Sequence, residues 1–435
     1  MRPTKRFWAL AAAGIPIAAW CGFTESYGLI YAYNAMLIVV AWATTKFAAP
    51  VSSLVVRRKF DQVLSVRVIN RVGLSIENTG LEAISGVLRD EPPPGFVPSK
   101  QEFTVNVGPG SRYETHYFLT PNERGDDLFR GSYFSQACPL GLVEKLCKLS
   151  TEESVRTYPN VLALREFNLL KQRGRLNQMG IRKSRVRGLG GEFESLREYA
   201  TGDDYRKIDW KATARRGKIV VRQFEQERNQ AVIICLDIGR RMLSEVNGVT
   251  KLDHALDSIL MVANAVVEAG DQIGLLVFAD RVRRYIPPKK GKNQLGILIE
   301  AIHDLVAEPV ESDPASAFAY LNSRWKRRSL LLTFSDSEDR EQAVGLVKGL
   351  GTVVRRHLTL LARISDPELE QSSTEPLSTP ESLFRRAASM FLIEERRQAT
   401  TVLEVAGIHT LESEPQNLSS ALVSYYFAVK ERALI

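Results

Sequence analysis

Histidine and cysteine are scarce in these 435 residues, five and four respectively. Their spacing excludes the chemistries that depend on them. Cys21, Cys138, Cys147 and Cys235 form no CxxC pair and no zinc-ligand pattern. Cys21 and Cys235 lie in apolar runs, which fits a reducing compartment and small packing roles. His116, His254, His303, His357 and His409 are too dispersed for a ligand set or a catalytic triad. A Walker-type phosphate loop is also missing, because Gly188-Leu189-Gly190-Gly191 lacks the preceding strand and the following lysine. No cofactor is therefore expected, and a small-molecule substrate is not expected either.

What is present begins with two apolar stretches, Phe7 to Phe23 and Gly28 to Thr44, separated by Thr24-Glu25-Ser26-Tyr27. At 1.5 Å per residue, roughly 17 residues span about 25 Å, enough for a helix in a thin bilayer. The spacing predicts a transmembrane helical hairpin over residues 1–50. Arg2, Lys5 and Arg6 precede it and Lys46, Arg57, Arg58 and Lys59 follow it, while the turn carries only Glu25. The positive-inside rule then places both termini and the bulk of the chain in the cytoplasm. A cleaved signal peptide would leave the second stretch unexplained. Two buried helices of a soluble domain fit less well, since neither stretch has a polar face.

Composition of 44% hydrophobic and 25% charged residues is ordinary for a globular chain with room for two or three cores. Residues 51–158 read as an all-β sandwich. The alternating runs are Val63 to Ile69, Leu74 to Asn78, Ile84 to Leu88, Phe103 to Val107, Tyr113 to Leu119 and Gly131 to Ser135. Asn78-Thr79-Gly80, Pro92-Pro93-Pro94-Gly95, Gly108-Pro109-Gly110 and Asn122-Glu123-Arg124-Gly125 punctuate them. Residues 159–230 form a basic connector and a charge-dense segment. Much of the net charge of +8 lies in three places: Arg2, Lys5 and Arg6; Arg57, Arg58 and Lys59; and this segment's run Lys171, Arg173, Arg175, Arg182, Lys183, Arg185 and Arg187. That run suits a solvated connector or contact with anionic lipid. Nucleic acid is disfavoured, because no recognition motif and no aromatic interleaving accompany it.

From Gly188 to Glu227, carboxylates and guanidiniums alternate around Phe193, Leu196, Tyr199, Tyr205, Ile208, Trp210 and Phe224, so this stretch is folded surface and not free linker. Lys218 to Phe224 alternates as a half-buried strand does. Residues 231–435 alternate apolar strands (Ala231 to Leu236, Ile273 to Ala279, Leu330 to Phe334, Leu358 to Ala362) with amphipathic helices, which predicts a doubly wound α/β domain. The helices are placed at Leu252 to Glu268, Asn293 to Val306, Ala315 to Arg324, Glu341 to Leu350, Ser382 to Leu403 and Leu418 to Arg432. Ligands of such a sheet bind beyond the strands' carboxyl ends, here Asp237, Asp280 and Ser335-Asp336-Ser337. Glu370 to Thr379 is expected to be a mobile surface loop.

The run Gly-Glu-Phe-Glu-Ser-Leu-Arg-Glu-Tyr from Gly191, followed by Gly202-Asp203-Asp204 and Ile208-Asp209-Trp210-Lys211-Ala212-Thr213-Ala214, resembles the bacterial family called domain of unknown function 58. Arg124-Gly125 and Pro139-Leu140-Gly141-Leu142 resemble that family's β region. The resemblance implies a von Willebrand factor A-like domain behind a membrane anchor in the bacterial inner membrane. It also implies association with MoxR-type AAA+ ATPases, without an established activity. Such domains hold a divalent cation on an Asp-x-Ser-x-Ser turn. This chain keeps Asp237 but has Gly239 and Arg241 where the hydroxyls belong, with Asp336 as the later aspartate and Ser312 or Asp313 in the remaining loop. We expect a degenerate site without metal, in which Arg240 or Arg241 pairs with Asp237 or Asp336.

The resemblance makes Arg197, Tyr199, Gly202, Asp203, Arg206, Asp209, Trp210, Thr213, Ala214 and Arg215 a signature surface, expected to serve a protein-binding adaptor. The same residues could instead brace the β-sandwich against the α/β domain. Two other classes stay open at this stage. One is a metal-dependent hydrolase using Asp203, Asp204, Asp209, Glu225 and Asp237. The other is a structural envelope or anionic-lipid-binding protein.

Overall fold

A computed structural model describes residues 2–24, 27–60, 64–160, 192–200, 203, 205–225, 230–336, 340–376 and 379–432. The chain divides into two compact units, Met1–Tyr158 and Pro159–Ile435. The basic run Lys171 to Arg187, the glycines Gly188, Gly190, Gly191 and Gly202, and the residues Asp204 and Ser337 lie outside the described residues.

The first unit opens with helices Lys5–Ala13, Ile15–Phe23 and Gly28–Lys46. Thr4 caps the first by accepting from the Phe7 amide, satisfying one of the donors every helix start leaves open. Gly14 interrupts the first apolar stretch, and a Cβ there would come within 2.8 Å of the Tyr33 ring, so glycine is what lets the helices close on each other. Tyr33 then donates its hydroxyl proton to the Leu10 carbonyl at 2.6 Å. The segments Lys5–Phe23 and Gly28–Ser53 have mean hydropathy 1.3 and 1.4 and are long enough to cross a membrane. They are compatible with a membrane hairpin. Trp8, Trp20, Phe23, Leu29, Met36, Ile38 and Trp42 stand exposed on them, which a packed soluble core would not allow.

The β region pairs in three sheets. One runs Arg2–Pro3, Val143–Leu149, Gly131–Ala137, Ile84–Glu91, Glu102–Val107; the second runs Leu54–Phe60, Asn70–Asn78, Arg112–Pro121, Phe96–Pro98. A third joins Leu64–Ser65, Glu153–Tyr158 and Gly125–Phe129. Period-two alternation feeds one core, in which Val56, Val72, Leu74 and Ile76 meet Leu88, Phe103, Val105 and Phe134. The same alternation sends Arg58 inward, where its guanidinium pairs with Asp90 at 2.6 Å and lies 4.6 Å from the Phe129 ring centre. Asp90 also accepts from Tyr117 and Ser132, so the buried charges are fully bonded. The helices dock on this unit through Thr4, which donates to the Gly141 carbonyl, and through Ala41 against Leu142 and Val143.

Among the strands that escaped the sequence reading are Leu54–Phe60, Gly125–Phe129, Val143–Leu149 and Glu153–Tyr158. Each carries charged residues on its outer face, which dilutes the apolar signal. Of the expected strand from Val63 to Ile69, Val63 lies outside the described residues and Leu64–Ser65 is strand, after which Arg67 turns the chain with φ +57°.

The second unit contains a six-stranded sheet ordered Val282–Lys289, Gln272–Phe278, Ala231–Asp237, Leu330–Phe334, Leu358–Ile364, His409–Ser413. All neighbours are parallel except the first, antiparallel edge pair. Counted in chain order this is 3-2-1-4-5-6, a doubly wound arrangement. Ala231–Asp237 is buried along its whole length, so its alternate residues feed two cores. Val232, Ile234 and Leu236 meet helices Lys251–Glu268 and Pro415–Glu431, while Ile233 and Cys235 meet helices Pro314–Arg324, Arg340–Val354 and Pro380–Val405. The loop expected at Glu370 to Thr379 is corrected in its first half: helix Pro367–Thr374 runs through residues 370–374, started by Asp366, whose carboxylate accepts from the Glu368 amide at 2.9 Å.

Candidate functional site

Strand order reverses between Ala231–Asp237 and Leu330–Phe334, and the carboxyl ends of these two strands bring Asp237, Ser335 and Asp336 together. Both carboxylates are buried. Asp237 Oδ1 accepts from the Gly239 amide at 2.8 Å and from the Ser312 hydroxyl at 2.5 Å; its Oδ2 accepts from Ser335 at 2.6 Å. Burial pushes the Asp237 carboxyl above the usual range, and these bonds offset only part of that. Gly239 is required for closeness: a Cβ would sit 2.1 Å from Ser312 Oγ and 2.9 Å from the Val310 carbonyl oxygen.

Asp336 is held differently. Its Oδ2 pairs with the Lys251 ammonium, itself buried, and its Oδ1 with Arg396 Nη2 at 3.1 Å. Burial would raise its pKa, but the charges of Arg396 and Lys251 outweigh burial and hold it below the usual carboxylate range. Arg396 extends the network to Glu412 at 3.3 Å, and Glu412 in turn pairs with the buried Arg363 at 2.8 Å. For Arg363 it is burial itself that lowers the pKa. Lys251 is the first residue of its helix, capped by Thr250. A cation there opposes the helix dipole, so its position answers to Asp336 and not to helix preference.

The expected pairing of Arg240 or Arg241 with a site carboxylate is corrected by this geometry. Both guanidiniums pair with Glu311, Arg240 at 2.6 Å, and Arg241 reaches only the backbone carbonyl of Asp336 at 3.4 Å. Arg240–Leu243 forms a 3-10 turn after the extended Gly239, which carries their side chains towards the Glu311 loop. The cation at Asp336 comes instead from Lys251, fourteen positions after Asp237 in the sequence and without a motif to mark it. All four oxygens of Asp237 and Asp336 have donors. Between Met242, Lys251, Ala255 and Asp336 a space of ≈ 10 Å³ remains, about the lower limit for one water. Among the described residues no three His, Cys, Asp or Glu side chains gather as a metal group.

The signature segment folds as two antiparallel strands, Glu192–Glu198 and Val220–Glu225, joined through a 3-10 turn Tyr205–Lys207 and helix Trp210–Arg216. Arg197 grips Asp203 with two bonds of 2.8 and 2.6 Å, and Asp203 also accepts from the Ala200 amide. Asp209 caps the helix by accepting from the Ala212 amide at 3.0 Å, and Thr213 Oγ1 accepts from the Val220 amide at 3.1 Å. Gly217 ends the helix with φ +67°. Arg206 lies 5.8 Å from the Tyr205 ring, Ala214 and Arg215 are exposed, and Tyr199 is 39% exposed. Tyr205 and Trp210, each 67% exposed, project into solvent with Ile219. The described carboxylates of the segment are therefore committed to caps and pairs, while its aromatics are not.

Residues 195–374 match the family described as "Protein of unknown function DUF58". The uncharacterized protein Rv1480 of Mycobacterium tuberculosis (strain ATCC 25618 / H37Rv) is 24% identical over 184 residues, covering 42% of this chain and 57% of that one. The uncharacterized protein YeaD of Bacillus subtilis (strain 168) is 24% identical over 261 residues, covering 59% and 61%. The chain thus spans less than two thirds of the length of these relatives. Among solved structures, the conserved hypothetical protein BatB from Bacteroides thetaiotaomicron is similar with TM-score 0.31 at 12% identity, over 46% of this chain and 98% of its own.

Proposed function

We propose that this chain works by binding: a membrane-anchored cytoplasmic adaptor whose signature segment docks on another protein. By family resemblance a MoxR-type AAA+ ATPase is the first candidate, and it would supply the ATP hydrolysis for which this chain has no phosphate loop. The carrying observation is the division of labour within the segment. Asp203 and Asp209 are used internally, whereas Trp210 and Tyr205 are two-thirds exposed at 67% beside Arg206. Large aromatics and arginines dominate interface energetics when a partner desolvates them. A hydrolase would need the reverse, with carboxylates open to water or metal.

The α/β domain is read as von Willebrand A-like on its strand order and on Asp237 at the end of the first strand. In this reading Lys251 stands where a divalent cation would sit, and the loops keep their shape without one. Basic residues on both flanks of the apolar hairpin support a cytoplasmic orientation at the bacterial inner membrane.

Crosslinking pull-down from native membranes tests the proposal with Trp210→Ala and Arg206→Ala. Loss of one partner at an unchanged melting temperature is the expected result. A fall of several degrees with the partner retained would make the segment an internal brace. Asp209→Asn separates the hydrolase reading cleanly, because asparagine caps a helix about as well as aspartate. Divalent-dependent turnover that this variant abolishes would overturn the adaptor.

A further inference from the structure

Alternation along Leu54–Phe60 that buries Arg58 turns Arg57 and Lys59 to the outer face of the four-stranded sheet. Register places Arg57 beside Ser75 and Glu114, Lys59 beside Gly73 and His116, and Arg71 beside Phe118. Gly73 and Ser75 keep the middle strand low, and the taller side chains around them enclose a groove of ≈ 730 Å³. That volume lies within the range of ligand sites, about 300–1,000 Å³. Arg112 is engaged by Ser75 at 2.7 Å and Glu114 at 2.9 Å. Among the described residues, the side chains of Arg57, Lys59 and Arg71 have no hydrogen-bond or ion-pair partner. The groove lining, with three cations that have no partner among the described residues and one paired acid, asks for an anion, while the other acid of this face, Glu77, stands outside the lining in register with Arg112.

The spacing narrows the choice. Arg57 and Lys59 are two residues apart on one strand, about 6.6–6.8 Å, and Arg71 continues the series one row further on the neighbouring strand. Alternate side chains of an extended peptide repeat at the same interval. A bilayer fits less well: Arg71 lies one row beyond Phe60, about 23 Å along the sheet from Leu54, the first strand residue after the apolar helices. Head groups at that end would be screened within about 8–10 Å. We propose that this groove binds an extended acidic segment of a partner protein, its alternate Asp or Glu side chains opposed to Arg57, Lys59 and Arg71. The site belongs to the first unit and does not depend on the adaptor reading of the signature segment.

The test uses the full chain in zwitterionic nanodiscs and a fluorescein-labelled peptide of alternating Glu and Ser, followed by anisotropy. Saturable binding is expected, weakened about tenfold or more by Arg57→Glu with Arg71→Glu, a loss of about 1.4 kcal/mol or more. Lys289→Glu with Lys290→Glu removes the same charge elsewhere and should leave affinity unchanged, with melting temperatures confirming that both variants fold. Three results would overturn the proposal. They are absence of saturable binding, equal loss in both double variants, or a stronger Arg57- and Arg71-dependent interaction with phosphatidylglycerol vesicles or oligo-dT than with the peptide.

Discussion

Lys251 and Asp336 illustrate how much a single buried pair decides. Taking both out of water costs several kcal/mol per ion, which the pair recovers only because Arg396 completes the coordination of the carboxylate. Removing one partner leaves the other uncompensated, so Lys251→Met is expected to destabilise the second unit by about 3–5 kcal/mol in urea denaturation. Asp237 behaves oppositely. It is buried without a direct cation and its pKa is raised, so its ionised form opposes folding at neutral pH. Asp237→Asn should therefore change stability at pH 7 by no more than about 1 kcal/mol, in either direction, as the amide can keep most of its hydrogen bonds. A large loss in Asp237→Asn and none in Lys251→Met would refute this assignment of roles.

His357 supplies the pH dependence. Burial, with the charges of Arg356 and Arg328, pushes it down from 6.5 to about 4. A depressed histidine contributes stability that is complete above its unfolded pKa and is lost as pH falls through the folded one. Thermal midpoints should decline between pH 6.5 and about 4 in the natural protein, and decline less in His357→Asn. Its Nδ1 contact with Ser329 Oγ at 3.0 Å is the bond such a variant must re-form.

Helix Trp210–Arg216 is only seven residues long and holds its shape by its ends. Asp209→Ala should cost about 1 kcal/mol through loss of the cap, visible as faster amide exchange at Ala212, while Asp209→Asn should cost little. The turn after Ala231–Asp237 is set by sterics more than by charge. Gly239→Ala places a methyl against Ser312 Oγ and the Val310 carbonyl, and a drop of several degrees in melting temperature is expected. Retention of the natural midpoint would show that this loop gives way more easily than its hydrogen bonds imply.

The two compact units divide the chain by kind of chemistry: the first joins apolar helices to a sandwich with an inner ion pair, the second carries the doubly wound sheet and the signature segment. If the hairpin spans a bilayer with both ends inside, protease added to intact spheroplasts should spare the C-terminal half, and digestion there would overturn the cytoplasmic orientation.

The kind of each region and the order of its central elements were legible because they depend on local periodicity, whereas the edge strands Val282–Lys289 and His409–Ser413 were not. Apolar runs without polar faces gave the helix pair, turn residues between alternating runs gave the β region, and continuous apolar strands between amphipathic helices gave the α/β domain. Asp237 and Asp336 were singled out on the same basis, since ligands of such a sheet bind beyond its strand ends. Long-range partnership was not legible. Nothing local to Lys251, Arg363, Arg396 or Glu412 marks them as members of one ion-pair network, and Arg241, nearer in sequence, was the natural choice for the site's cation. Folding chose otherwise: the turn after Gly239 carries Arg241 to Glu311, while the start of the following helix delivers Lys251 to Asp336. Which charges meet depends on where distant backbone segments converge, and only the packed tertiary structure specifies that.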